Sequence, residues 1–138
     1  MKKLVKRAVV TVSIGLLLIS LTQQCYCTTS HCGDSLAAYF AGVLGFWHSW
    51  AGSTWLANPL MLISWLTINR SPKISLLTNL FAVILSFSFL LFNEIMDNEA
   101  GFYSQIISYL LGYWLWVASS VSMLIGNSFL YFWKPKQA

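Results

Sequence analysis

Arg70-Ser-Pro-Lys73, followed by residues 74–92, ISLLTNLFAVILSFSFLLF, decides how the rest of the chain is read. The second part runs for 19 residues without a charge. As a helix rising 1.5 Å per residue it would span roughly 28 Å, close to the hydrocarbon thickness of a bilayer. Pro72 disfavours helix at the residue before it, so a preceding helix should stop near Arg70. Two basic residues in so tight a turn mark the cytoplasmic side, since loops rich in Lys and Arg stay inside. One oriented crossing then sets the sense of its neighbours.

Composition agrees with that reading. Hydrophobic residues make up 57% of the 138 residues and charged residues 9%, with a mean hydropathy of +0.67. A soluble domain carries roughly 25% charged residues, and one this small has too little interior to hide so much apolar surface. The net charge of +4 does not indicate a nucleic-acid surface. The basic residues fall in three short groups that each abut an apolar run: Lys2, Lys3, Lys6 and Arg7; Arg70 and Lys73; Lys134 and Lys136. Nucleic-acid binding would need them gathered on one soluble face. The expected fold class is all-α, a helical bundle integral to the membrane.

Downstream of the quoted stretch, residues 93–101, NEIMDNEAG, close a hairpin on the outer side. The next uncharged run, residues 102–133, holds 32 residues, too many for one untilted span. A crossing within residues 106–130 is expected, with its core near either 106–126 or 110–130. The second placement is preferred because it puts Tyr113, Trp114 and Trp116 at one interface and Tyr131 and Trp133 at the other.

Upstream, residues 36–69 contain 34 uncharged residues, more than one span and barely two plus a turn. Two crossings would put Arg70 and Lys73 outside, so one crossing near residues 55–69 is favoured. Residues 36–52 would then lie as a helix at the outer interface, where Tyr39, Trp47, His48 and Trp50 suit a half-wet environment. Residues 1–27 have a basic start, a 14-residue apolar stretch at 8–21 and small residues after it. They read either as a signal peptide, cleaved after Cys27, or as an uncleaved membrane anchor whose Lys6 and Arg7 snorkel. The expectation is three transmembrane helices plus this signal peptide or signal-anchor helix, with residues 28–138 as a single membrane domain. All eight Lys and Arg, and the C-terminus, fall on the cytoplasmic side. Residues 28–54 and 93–101, with Asp34, Glu94, Asp97 and Glu99, fall outside.

Candidate chemistry is sparse. Cys25, Cys27, His31 and Cys32 lie within eight residues and offer a soft ligand set for zinc or copper(I). Their spacing matches no strong zinc pattern, and a disulfide is the alternative in an oxidising exterior. Glu94, Asp97 and Glu99 lack the ligand count of a calcium loop and read as a solvated hairpin tip. His48 is the one titratable imidazole in the three later apolar runs and a candidate functional polar residue. Those runs carry no Asp, Glu, Lys or Arg, whereas proton-coupled transport leans on a buried carboxylate. There is no HExxH and no paired catalytic set on facing spans, so neither enzyme activity nor a cofactor is expected.

Helix association has the better signal. Ser104, Ser108 and Gly112 recur every four residues, as do Ala118, Ser122 and Gly126, and residues four apart share one helix face. Asn79 is placed to hydrogen-bond across to a neighbouring helix. The expected partners are therefore the lipid bilayer and either a second copy or another membrane protein. Three functions follow in order: an accessory or interaction protein, a small oligomeric transporter or channel for a hydrophobic or uncharged substrate, and immunity against a membrane-active toxin.

Trp55-Leu-Ala-Asn-Pro-Leu60, with Tyr109-Leu-Leu-Gly-Tyr-Trp-Leu-Trp116 downstream, resembles small multi-span bacterial proteins of no assigned function. The resemblance covers roughly residues 36–127. It implies a bacterial inner membrane and nothing about mechanism.

Overall fold

The computed structural model describes residues 1–98 and 100–133; Glu99, Lys134, Lys136 and the C-terminus, all given sides above, lie outside the described residues. Four antiparallel helices form a bundle. α1 (Lys2–Leu21) packs along α6 (Leu111–Phe132), α6 along α5 (Pro72–Ser88), and α5 along α4 (Ala57–Thr67). Pro72 sits in the first turn of α5, where its missing N–H costs nothing, and Ser71 N–H bonds back to Thr67 O at 2.8 Å. That proline and that bond make the α4–α5 turn.

Helices Lys2–Leu21, Pro72–Leu91 and Leu111–Phe132 are long and apolar enough to cross a membrane. Residues 36–69 fold as two separate bodies. α2 (Ser35–Gly45) is a short apolar helix. After a break at residues 46–49, α3 (Trp50–Ser53), a 3-10 turn (Thr54–Leu56) and α4 follow without interruption. The expected interfacial helix over 36–52 is therefore broken. Ser49 does the breaking: its extended backbone starts α3, and its Oγ accepts from Gly52 N–H at 2.9 Å.

The all-α expectation needs correction. A four-stranded antiparallel sheet of order β2-β1-β4-β3 sits at the end of the bundle opposite the α4–α5 turn. β1 (Gln24–Thr28) and β2 (Cys32–Asp34) form a hairpin after α1, and β3 (Glu94–Met96) and β4 (Tyr103–Tyr109) form another between α5 and α6. β1 joins them by pairing with β4, Tyr26 opposite Tyr109. The sequence YSQIISY of β4 is rich in β-branched and aromatic residues and alternates in burial over its first half. Ser104 and Ser108 are therefore strand residues, and the helical face expected to carry them with Gly112 does not exist. The last helix starts at Leu111 and not near 106.

Inside and outside are inverted relative to a soluble bundle. Of the most completely buried side chains, Ser13, Ser20, Ser64, Ser75, Asn79, Ser86, Ser119 and Ser120 are polar. Their groups bond across helices. Ser13 Oγ donates to Ser119 O (2.9 Å) and Ser119 Oγ returns to Ser13 O (2.7 Å), while Ser64 and Ser75 exchange the same pair of bonds at 2.9 and 2.8 Å. Asn127 Nδ2 adds a bond to Ser64 Oγ, and Asn79 Nδ2 donates to Ser120 O. The exposed faces carry Leu18, Leu66, Leu77, Phe81, Ile84, Ile125 and Phe132.

Candidate functional site

The sheet roofs a cavity. Two sequence features build it. First, β1 is bulged between Gln24 and Tyr26, which turns Cys25 inward to a buried position where its thiol donates to Gly33 O at 3.2 Å. Second, Gly42 in α2 leaves room for the indole of Trp55; a Cβ there would fall on the ring. Trp55 stacks on Phe46 (centroids 5.9 Å apart), meets Tyr39 edge-on, and donates from Nε1 to Tyr39 O at 2.8 Å. That indole clamps α2 against the 3-10 turn and holds the side of the cavity.

The space beneath it is half-open and measures about 610 Å³, within the usual range of small-molecule sites. Trp55, Trp116, Phe89 and Tyr113 give it an aromatic wall, and Ser35, Asn58, Cys25 and His48 supply polar groups. Asn58 is held at both ends: Trp116 Nε1 donates to its Oδ1 (2.8 Å) and its Nδ2 donates to Trp55 O (3.0 Å). Ser35 is different. It is 7% exposed, and its Oγ, without a well-aligned hydrogen bond, is closed off against Gly112 beside the Cys25 thiol. Burial pushes the Cys25 thiol and the Tyr26 and Tyr39 phenols above their ordinary ranges, so all three face the cavity uncharged. Among the described residues, Asp97 is the carboxylate of the lining. Its Oδ2 accepts from Ser104 Oγ at 2.9 Å and its Oδ1 lies 3.5 Å from His31 Nδ1.

The four candidate metal ligands do not converge. Cys27 and Cys32, opposite each other in β1 and β2, are joined as a disulfide, Cys25 is a buried free thiol, and His31 is exposed beside Asp97. Among the described residues, no group of three or more His, Cys, Asp or Glu is placed to hold a metal. His48 lies exposed at the rim of the cavity, its ring tilted beside Trp47.

Gly112 and Gly126 of α6 face inward. A Cβ at Gly112 would meet Ser35 Oγ and Gln24 O, and one at Gly126 would meet the side chain of Val9. Ser122 Oγ bonds within its own helix to Ser119 O, and Ala118 is half-buried. Ser108 pairs with Cys27 across the sheet, and Ser104 holds Asp97.

Sequence reasoning missed Ser13 and Ser20, hidden in the apolar stretch of the N-terminal segment, and Ser35, Trp55 and Asn58. A usable signal existed in α5. Ser75, Asn79, Ala82 and Ser86 recur at steps of four, three and four, and all four are buried. Small polar residues at helical period in an otherwise apolar run mark the inner face.

No protein-family model, curated protein or solved structure matches this chain.

Proposed function

We propose that the protein is a bacterial inner-membrane protein of four crossing helices that works by binding at its sheet-capped outer end, as an accessory protein without catalytic activity. One observation supports this reading above the others: a hydrogen-bonded polar interior enclosed by apolar exposed faces. Water rewards the opposite arrangement, whereas in lipid the polar groups must satisfy each other inside. Orientation follows from charge. Lys6 and Arg7 of α1 share a cleft with Asn69 beside the α4–α5 turn, so the basic ends lie together. The disulfide at the opposite end suits an oxidising exterior. In this reading α1 is a retained anchor, because Ser13 and Ser20 make bonds to α6 that a cleaved segment could not supply.

The working end is assigned from its exposure and its cavity. Trp50 is 82% exposed and Trp47 is also exposed, at the sheet-capped end. Photo-crosslinking residues placed at 47 and 50 should give a discrete adduct in cells, while the same probes at Leu66 and Phe132 give only lipid adducts. Lipid adducts alone at all four positions, together with a monomeric purified protein, would sink the proposal.

A second reading, transport of an uncharged substrate, is favoured by one feature. The seam between α1 and α4 has the 610 Å³ cavity at one end and a cleft of about 270 Å³ at the other. Leu17 and Met61 lie between them, with Trp65 Nε1 bonded to Ser13 Oγ at 3.0 Å. Solute flux in reconstituted vesicles above that of empty liposomes would select this reading.

A further inference from the structure

Resting on the reading of the chain as a membrane bundle, we infer that the cleft between α1 and α4 at its basic end holds the phosphate of an anionic phospholipid. α1 packs along α6 and α4 along α5, so α1 and α4 meet only where side chains reach across. Trp65 does so, donating from Nε1 to Ser13 Oγ at 3.0 Å. Beyond that bridge, toward the α4–α5 turn, the helices part into a cleft of about 270 Å³. Lys6, Arg7, Thr11 and Asn69 line it beside the Trp65 indole. Two cations, a hydroxyl and an amide thus share one recess.

Those charges lack a counterion within the fold. The described carboxylates, Asp34, Glu94 and Asp97, belong to the sheet and its turns at the opposite end. Among the described residues the one ion pair joins His31 to Asp97. Lys6 is half-buried, with Arg7 exposed beside it, and neighbouring like charges repel unless an anion lies between them. A phosphodiester satisfies both and can also accept from Thr11 and Asn69. The flanks of the cleft point to a lipid as its source. Leu62 and Leu66 share a helix face with Asn69 at steps of four and three, and Leu18 shares one with Thr11 and Arg7 at steps of seven and four. All three leucines are exposed, so an apolar border runs from the cleft along both helices. An acyl chain can lie there while its phosphate occupies the recess; a free phosphate gains nothing from that border. Basic pockets between helices on the cytoplasmic side suit anionic headgroups for this reason.

The experiment uses the full chain in phosphatidylcholine nanodiscs containing a minor fraction of phosphatidylglycerol with a photoreactive diazirine in its acyl chain. Both leaflets then have one composition, so the result does not depend on which end is cytoplasmic. Adducts should saturate and concentrate within residues 7–18 and 62–69, and phosphatidylcholine carrying the same diazirine should be captured about tenfold less. Lys6→Gln with Arg7→Gln should reduce capture about tenfold or more, whereas Lys2→Gln with Lys3→Gln, outside the cleft, should reduce it less than about threefold. Both double variants should melt with the parent in phosphatidylcholine alone, which separates lost binding from lost fold. Phosphatidylglycerol should then raise the melting temperature of the parent but not that of the Lys6 and Arg7 variant. Equal losses from the two double variants would mean diffuse surface attraction and would overturn the inference, as would adducts spread evenly over Phe81, Ile84 and Phe132. Displacement of the lipid by millimolar inorganic phosphate would assign the cleft to a free anion and overturn the lipid. If the probes at Leu66 and Phe132 still give lipid adducts in those cases, the membrane reading stands and only the headgroup assignment fails.

Discussion

Gly15 and Gly126 both lie inside helices, and alanine at the two positions should act in opposite directions. Nothing lies within 4 Å of a Cβ built on Gly15, whereas one on Gly126 collides with Val9. Valine is β-branched and stiff at χ1, so it cannot swing away without moving α1. Gly15→Ala should raise stability by about 0.5–1 kcal/mol through helix propensity, and Gly126→Ala should lower it by about 1–3 kcal/mol through overpacking. Unfolding midpoints in detergent will show whether the signs differ. Cys25 makes a second test. Burial keeps its thiol protonated above the usual range, so maleimide should label it only after unfolding at pH 7, while Cys27 and Cys32 need reduction first. Rapid labelling of Cys25 in the native protein would contradict its buried setting. The sign of the linkage follows. A raised folded-state pKa gives a contribution that is complete below the unfolded thiol's pKa of about 8.5 and is lost as pH rises through the folded value. Stability measured from pH 7 to 10 should accordingly fall, and Cys25→Ser should flatten the fall.

Elements differ in how well the sequence announces them. α5 is legible because nothing interrupts its apolar run and a proline and two basic residues mark its start. β4 is not, because residues 102–133 lack a charge and the boundary between strand and helix at Leu110 carries no glycine or proline. Pairing is hidden for a different reason: β1 meets β4 across more than 70 residues of chain, and no local pattern encodes such a contact. The cavity was illegible on the same ground, since its walls come from β1, α2, α4 and α6 together. The β1–β2 hairpin, by contrast, should be separable from the rest. Its disulfide closes a loop with a sequence separation of 5, and chain-entropy reasoning assigns such a link about 2 kcal/mol. Reduction should speed hydrogen exchange at residues 24–34 and 103–109 and leave exchange in α5 unchanged. Loss of helical circular dichroism on reduction would mean that the sheet holds the bundle together.

The whole molecule is organised by two asymmetries, a polar inside against an apolar outside and a basic end against a disulfide-bearing end. Each could arise in a protein that never meets lipid, but together they leave α1 with one consistent role. As a signal peptide it would leave the mature chain and take Ser13 and Ser20 with it, stripping Ser119 Oγ and Gly112 O of their bonds and uncovering Gly126. The Ser119 hydroxyl and the Gly112 carbonyl would then lose those partners, at a cost of about 1–3 kcal/mol for each group left unsatisfied. The proposed orientation and the retention of α1 are tested separately. Single cysteines at Ser30 and Asn98 should react with an impermeant maleimide on intact spheroplasts, and one at Asn69 only after permeabilisation. The intact mass should include Lys2–Leu21. Labelling of position 69 from outside would invert the topology, and a mature mass beginning near residue 28 would remove α1 from the bundle. The second result would carry a further consequence: with α1 gone, the α1–α4 seam and the cleft at Lys6 and Arg7 would be lost, and the larger cavity would lose Ser20, Leu21, Cys25 and Tyr26 from its lining.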